Sequence, residues 1–85
     1  MFAVYSYEVS ENIYIFDTKA EARKCEQLLY KLNDYNSKTR DCDVIFFEEF
    51  NSYEEIKNDQ IETLEGCGEG EVVLIYKGKT ELIRI

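Results

Sequence analysis

The chain has no histidine, no proline and no tryptophan among its 85 residues. Histidine is the side chain that most often transfers protons near neutral pH, and it is the usual partner of serine and cysteine nucleophiles. Its absence removes the common catalytic pairs and triads from consideration. Carboxylates are abundant, but none follows an apolar stretch that would form a pocket and separate two pKa values. The sequence therefore predicts a protein that is not an enzyme.

Cysteine is scarce as well, with three residues at Cys25, Cys42 and Cys67. They lie far apart, without the C-x-x-C spacing of many zinc sites, and an odd number does not fit a disulfide framework. Cys67 stands between two glycines, but a reactive thiol needs a neighbouring base or cation to lower its pKa. We therefore expect reduced and unreactive thiols.

Carboxylates are the remaining metal ligands, and Asp41, Asp43 and Glu48 lie close together in the sequence. A calcium-binding loop needs alternating ligands around a central glycine, which this stretch lacks. The later glycines do not form a phosphate-binding loop, because no Lys-Ser or Lys-Thr pair follows them. The sequence predicts neither a metal site nor a cofactor.

Long apolar runs are also missing, and no stretch approaches the twenty apolar residues of a transmembrane helix. The first residues lack the basic region and apolar stretch of a signal peptide. Hydrophobic residues make up 45% of the chain, too many for a disordered protein. We expect one domain spanning residues 1–85, without membrane association, in the cytoplasm. Abundant Ile, Lys, Asn, Glu and Tyr resemble coding from an AT-rich genome and favour a low-GC bacterium or one of its phages.

The longest periodic segment predicts a helix over residues 18–35. Its apolar side chains recur at three- and four-residue steps, so they share one stripe that packs against a sheet. This stripe consists of Ala22, Cys25, Leu29 and Leu32, widened by Leu28 and Tyr35. Thr18 is placed to cap the first turn and to form a capping box with Glu21.

A second helix is predicted over residues 52–64. Ile56, Ile61 and Leu64 form its apolar side, and the rest of the segment is acidic. Ser52 and Glu55 repeat the capping-box spacing of the first helix, which we attribute to shared local physics rather than to gene duplication. Gly66 is placed to end the helix in the left-handed conformation.

Strands fill the remaining periodic segments. Residues 2–9 and 13–16 form a hairpin with a turn at residues 10–12, and residues 43–50 form a third strand. The third strand is apolar on both sides, which is typical of a strand that is covered on both faces or central. Residues 71–76 and 81–85 form a second hairpin around a turn at residues 77–80. The order β-β-α-β-α-β-β predicts an α+β fold with a small, mainly antiparallel sheet, although it does not determine the strand order.

Negative charge is concentrated in one third of the chain. Between residues 41 and 71 there are eleven acidic residues and one basic residue, Lys57, a net charge of −10. The whole chain carries −8, so the remainder carries +2. One interpretation is a solvated face that keeps a small protein soluble. The other is a docking surface that attracts a basic partner.

In the docking hypothesis, the carboxylates imitate the phosphates of a nucleic acid and occupy a cationic groove on the partner. Direct binding to DNA or RNA is disfavoured, because the chain has no basic stripe. Tyrosine is common at binding hot spots, which makes Tyr53 the best candidate for an exposed aromatic contact, although packing over the sheet edge also fits it. The predicted partner-binding residues are Glu48, Glu49, Tyr53, Glu54, Glu55, Asp59, Glu62 and Glu65.

In size, acidity, aromatic content and lack of catalytic residues, the chain resembles phage-encoded inhibitors of host defence, including anti-CRISPR proteins. This likeness is one of composition and involves no motif. It implies an inhibitor that binds a basic nucleic-acid-handling protein as a monomer or a homodimer. The alternative is a structural protein that self-associates through a sheet edge, because the last strand, Leu82-Ile83-Arg84-Ile85, has few charges to protect its edge.

Overall fold

The computed structural model describes the backbone of residues 1–6, 10–36 and 45–85, and the side chains of residues 1–6, 12–31 and 45–85. The elements follow in the order β1 (Phe2–Ser6), β2 (Ser10–Phe16), α1 (Lys19–Asn36), β3 (Phe46–Glu49), α2 (Tyr53–Cys67), β4 (Glu71–Tyr76) and β5 (Lys79–Arg84). The predicted α+β class and element order are confirmed. Within the described ranges, neither helix is long and apolar enough to cross a membrane.

The strands form one mixed sheet in the order β3-β1-β2-β4-β5. β2 and β4 are parallel, and the other three pairings are antiparallel, so β2, β3 and β4 run in the same direction. One crossover leads from β2 to β3 through α1, and the next returns from β3 to β4 through α2. Two crossovers of the same hand that run in opposite directions must cover opposite faces of the sheet. The two helices accordingly form the outer layers of a three-layer domain.

α1 packs on β1 and β2, where Val4, Ala22 and Leu29 are buried. The prediction is confirmed for Ala22 and Leu29, and Cys25 is half-buried. The side chains of residues 32 and 35 lie outside the described residues. Leu28, predicted to widen the apolar stripe, is instead 61% exposed. α1 contacts only a narrow strip of the sheet, so a side chain at the margin of its apolar face stays in solvent.

α2 covers the larger core on the opposite face. Ile56 and Leu64 are buried as predicted, and Ile61 is half-buried. Gln60 lies between them at the four-residue step and is only 2% exposed, although its polarity predicts an exposed position. The strands contribute a set of buried apolar side chains to this core, namely Ala3, Tyr5, Ile13, Ile15, Val72, Leu74 and Ile83.

Both helices begin as predicted, because Thr18 and Ser52 accept hydrogen bonds from the backbone N–H groups of Glu21 and Glu55. The predicted end of α2 is wrong. The helix continues through Gly66, and Gly68 takes the left-handed conformation with φ 82°. The N–H of Gly68 bonds to the carbonyl oxygens near the end of the helix, which leaves Leu64 inside the helix and on the core.

One strand prediction is wrong, and the structure decides between two alternatives for another strand. Residues 10–12 belong to β2 rather than to a turn. β3 is not central but lies at the sheet edge beside β1. It is covered on both faces, as the other reading of its apolar pattern predicted, because Phe46 packs on the α2 side and Phe47 on the α1 side. The predicted strand residues 7–9 and 43–44 lie outside the described residues.

The β4–β5 hairpin has a two-residue turn. Lys77 and Gly78 both have positive φ angles, 50° and 77°, which is the signature of a type I′ turn. Tyr76 and Lys79 are therefore directly opposite each other, and β5 begins two residues earlier than predicted. This register brings Tyr76 and Lys79 to the same end of the sheet as the start of α2.

Candidate functional site

The eight residues predicted to bind a partner do not lie on one surface. Glu48 pairs across the strands with Ala3, which lies in the core under α2. Glu49 pairs with Phe2, which packs on the α1 side. Because neighbouring strand residues alternate between faces, Glu48 lies on the α2 side and Glu49 on the opposite side. Continuity in the sequence therefore does not give continuity of the acidic surface.

Four carboxylates do come together on the α2 side, and we call Glu48, Glu55, Asp59 and Glu62 the acidic cluster. Partial burial raises the pKa of Asp59, and the negative charges of Glu48, Glu62 and Glu55 raise it further. Within the described residues, no lysine or arginine nitrogen lies within 4 Å of any of the four carboxylates. Among the described residues, the cluster is therefore a local concentration of negative charge without a paired cation.

Neighbouring polar groups donate hydrogen bonds to two members of the cluster. The Tyr5 hydroxyl donates a hydrogen bond of 2.7 Å to Glu48 Oε1. Gln60 Nε2 donates a longer bond of 3.4 Å to Asp59 Oδ2. Glu48 in β3 and Asp59 in α2 are half-buried, whereas Glu55 and Glu62 are exposed. The bond from Tyr5 thus holds Glu48 in position, and the two exposed carboxylates extend the charge into solvent.

Tyr53 lies on the other flank of α2, away from the acidic cluster. Its hydroxyl donates to Glu81 Oε1 at 2.9 Å, and Lys57 Nζ lies 2.6 Å from Glu81 Oε2. Burial and the bond to Glu81 raise the pKa of Tyr53 to about 12. Lys57 and Tyr53 in turn lower the pKa of Glu81. Tyr53 is half-buried and packs over β4 and β5, which is the alternative that the sequence analysis gave for this residue.

Glu54 and Glu65 stand at the two ends of α2. Glu54 is exposed beside the first turn, and its charge contributes to the raised pKa values of Tyr53 and Lys57. Glu65 is exposed in the last turn, one helical turn beyond Glu62. Both add negative charge around the cluster without belonging to it.

A groove that sequence reasoning missed runs between α2 and β5. It has a volume of about 530 Å³ and is lined by Tyr53, Tyr76, Lys79, Thr80 and Glu81. The two tyrosine ring centroids are 5.6 Å apart. The lining residues come from α2 and from the β4–β5 hairpin, which are distant in the sequence, so no local pattern reveals the groove.

A second carboxylate, that of Asp17, binds the other tyrosine of this pair. Tyr76 donates a hydrogen bond of 2.6 Å to Asp17 Oδ1, and Lys77 Nζ lies 2.9 Å from Asp17 Oδ2. Both contacts lower the pKa of Asp17, and the bond to Asp17 raises the pKa of Tyr76. Each tyrosine of the pair is therefore held by a carboxylate that also binds a lysine.

Thiols and metal ligands add little to this picture. Cys67 is exposed at the end of α2, whereas Cys25 is half-buried and burial raises its pKa. Cys42, Asp41 and Asp43 lie outside the described residues. Among the residues that the structure describes, no group of three or more acidic, cysteine or histidine side chains is arranged to hold a metal ion.

Comparisons with protein-family models, curated proteins and solved structures gave no match to this chain.

Proposed function

We propose that this protein is a non-enzymatic binding protein that docks through the acidic cluster on a basic surface of a nucleic-acid-handling protein and inhibits it. The supporting observation is the raised pKa of Asp59 in a cluster of four carboxylates that has no cation among the described residues. The chain has lysines elsewhere, but the one on α2, Lys57, pairs with Glu81 on the opposite flank.

Concentrated like charge costs the free protein some stability, because each pair of carboxylates repels. A basic partner removes that repulsion when it binds. The same field attracts the partner from a distance and raises the association rate. A surface of this kind fits a cationic groove that otherwise binds phosphates.

The docking surface in this proposal is smaller than the acidic third of the sequence. It consists of the acidic cluster with Glu65 beside it and Glu54 at its margin. Glu49 is not part of it, because it lies on the opposite face of the sheet. In this proposal the protein acts in the cytoplasm of a bacterial cell, in the manner of phage-encoded anti-defence proteins.

The test compares two variants with the same change in net charge. The cluster variant carries Glu55→Gln, Asp59→Asn, Glu62→Gln and Glu65→Gln. The control carries Glu21→Gln, Glu49→Gln, Glu69→Gln and Glu71→Gln, which are exposed positions off the cluster. Glutamine at position 21 keeps the capping box, so both variants should remain folded.

Wild type and both variants are then used to capture partners from a bacterial lysate at low and high salt. A basic nucleic-acid-binding protein that is retained by wild type and the control, but lost from the cluster variant, supports the proposal. Equal retention by both variants would mean that the cluster only contributes to solubility.

Self-association through a sheet edge remains the second candidate, and one observation favours it. Leu82 lies in the edge strand β5 and is 53% exposed. Light scattering over a range of protein concentrations tests it directly. A dimer that Leu82→Arg dissociates would support this function, and a monomer at all concentrations would reject it.

A further inference from the structure

The two edges of the sheet differ in how well they are protected. β3 has four residues and carries Glu48 and Glu49. β5 has six residues and exposes Leu82 in its central part, and two of its three charged side chains, Glu81 and Arg84, are paired within the domain. Short edge strands resist pairing with other chains, whereas longer strands with exposed apolar side chains invite it. β5 is therefore the edge at which a further strand can add.

The register of the hairpin identifies the backbone groups that are open on this edge. Gly70 and Ile85 exchange hydrogen bonds of 2.9 and 3.4 Å between their backbone groups. Bonded and non-bonded pairs alternate along an antiparallel ladder, so Glu81 and Ile83 also bond towards β4. The N–H and C=O groups of Thr80, Leu82 and Arg84 consequently point away from the sheet.

The groove of about 530 Å³ lies beside these open groups on the α2 side. The rings of Tyr53 and Tyr76 are fixed by their hydrogen bonds to Glu81 and Asp17. Side chains of an added strand alternate between the two faces of the sheet, so every second one would project towards the groove. A preformed apolar site of this size suits one large aliphatic or aromatic side chain.

The lysines around the groove also indicate which charge an occupant should carry. Lys57 and Lys77, which flank the groove, are paired with Glu81 and Asp17. In the part of the chain that the structure describes, Lys79 has no carboxylate within 4 Å. An occupant that places a carboxylate opposite Lys79 would complete the set of ion pairs.

We propose that β5 binds an extended segment of another protein by strand addition. The segment pairs with the open groups of Thr80, Leu82 and Arg84, places an aromatic or large aliphatic side chain in the groove, and directs a carboxylate to Lys79. An apolar side chain on its other face covers Leu82. Main-chain bonds supply the affinity in this mode, and the pocket supplies the specificity. This surface is separate from the acidic cluster.

A second copy of the chain fits this edge less well. In a two-fold pairing centred on Leu82, the residue of the second β5 that faces Glu81 is Ile83. That side chain is only 6% exposed, because it lies in the core of its own domain. It cannot fill the groove of the neighbour, and Ile85, which faces Lys79 in this pairing, has no side-chain carboxylate.

Hydrogen exchange measured by NMR tests the proposal residue by residue. The probe is the capped peptide acetyl-Ser-Thr-Val-Phe-Thr-Glu-amide, in which valine lies opposite Leu82, phenylalanine opposite Glu81, and glutamate opposite Lys79. At a peptide concentration ten times its Kd, the Leu82 amide should exchange about tenfold more slowly. The amides of Glu81 and Ile83, already bonded to β4, should exchange slowly both without and with the peptide.

Two controls separate strand addition from other binding. A peptide N-methylated at its valine loses one main-chain bond and should bind about tenfold more weakly. Lys79→Glu should weaken binding of the glutamate peptide by about threefold and strengthen binding of the matching lysine peptide. The proposal is overturned if the peptide leaves the Leu82 amide unprotected, or if N-methylation has no effect. It is also overturned if protection arises without peptide and increases with protein concentration, because a second copy would then occupy the edge.

Discussion

Gln60→Met is expected to stabilise the domain. Gln60 is 2% exposed in the core under α2, and its Oε1 has no hydrogen-bond partner. A buried carbonyl oxygen without a partner costs about 1–3 kcal/mol. Methionine has nearly the same shape and removes that penalty. It sacrifices only the 3.4 Å bond from Nε2 to Asp59, which is too long to contribute much.

The net gain should be about 1–2 kcal/mol, after allowance for the lost bond. A domain of 85 residues has a total stability of about 4–13 kcal/mol, so this gain is a large fraction of it. With a urea m value near 1 kcal/mol/M, the midpoint should rise by about 1–2 M. The melting temperature should rise by about 4 °C or more.

Urea unfolding monitored by circular dichroism measures this change. Asn58→Met, at an exposed position of the same helix, controls for the better helix propensity of methionine and should change stability by no more than about 0.5 kcal/mol. A lower midpoint for Gln60→Met than for wild type would refute the reasoning, since it would show that the amide is well satisfied in the folded protein.

The other expected outcomes concern packing, titration and thiol access. Leu29→Ala should cost about 2–5 kcal/mol in urea unfolding, whereas Leu28→Ala should cost less than about 0.5 kcal/mol because Leu28 lies in solvent. The folded state raises the pKa of Asp59, so its charge opposes folding above that pKa, and stability is regained as pH falls through it. Asp59→Asn should therefore stabilise the protein at pH 7 by about 0.5 kcal/mol, with no gain below pH 3, and an unchanged difference across this range would contradict the cluster. A maleimide should label exposed Cys67 faster than half-buried Cys25 under native conditions, and mass spectrometry of the digested protein would detect the reverse.

Sequence periodicity predicts the parts of this fold that depend on local packing. The three- and four-residue steps from Ala22 through Cys25 to Leu29 give the buried side of α1, and the β4–β5 hairpin follows from its turn residues. The same spacing overestimates the width of the apolar side. Leu28 is exposed because the sheet strip beneath α1 is narrow, and this depends on strand order rather than on the helix sequence.

The ends of the helices can also be predicted only in part from the sequence. Both N-caps are predictable, since Thr18 and Ser52 bond to nearby backbone groups. The end of α2 is less so, because Gly66 and Gly68 are both able to adopt the left-handed conformation. In the structure the helix ends at Gly68, whose N–H bonds to the carbonyl oxygens of Leu64 and Glu65.

The candidate surfaces are predictable only in part. The sequence gives the excess of negative charge, but strand alternation separates Glu49 from Glu48. The groove beside β5 needs the long-range approach of Tyr53 to Tyr76, which no local pattern encodes. Charge composition thus identifies the kind of surface, while the sheet register determines which residues share it.

The association rate between this protein and its captured partner tests the central claim most directly. Stopped-flow measurements would compare wild type, the cluster variant and the control at ~0.01 M and ~1 M salt, where the Debye length falls from about 30 to about 3 Å. If the acidic cluster guides docking, the rate for wild type and the control should fall at least about tenfold with salt. The cluster variant should associate slowly at both concentrations. Equal rates and equal salt dependence for all three proteins would contradict the claim.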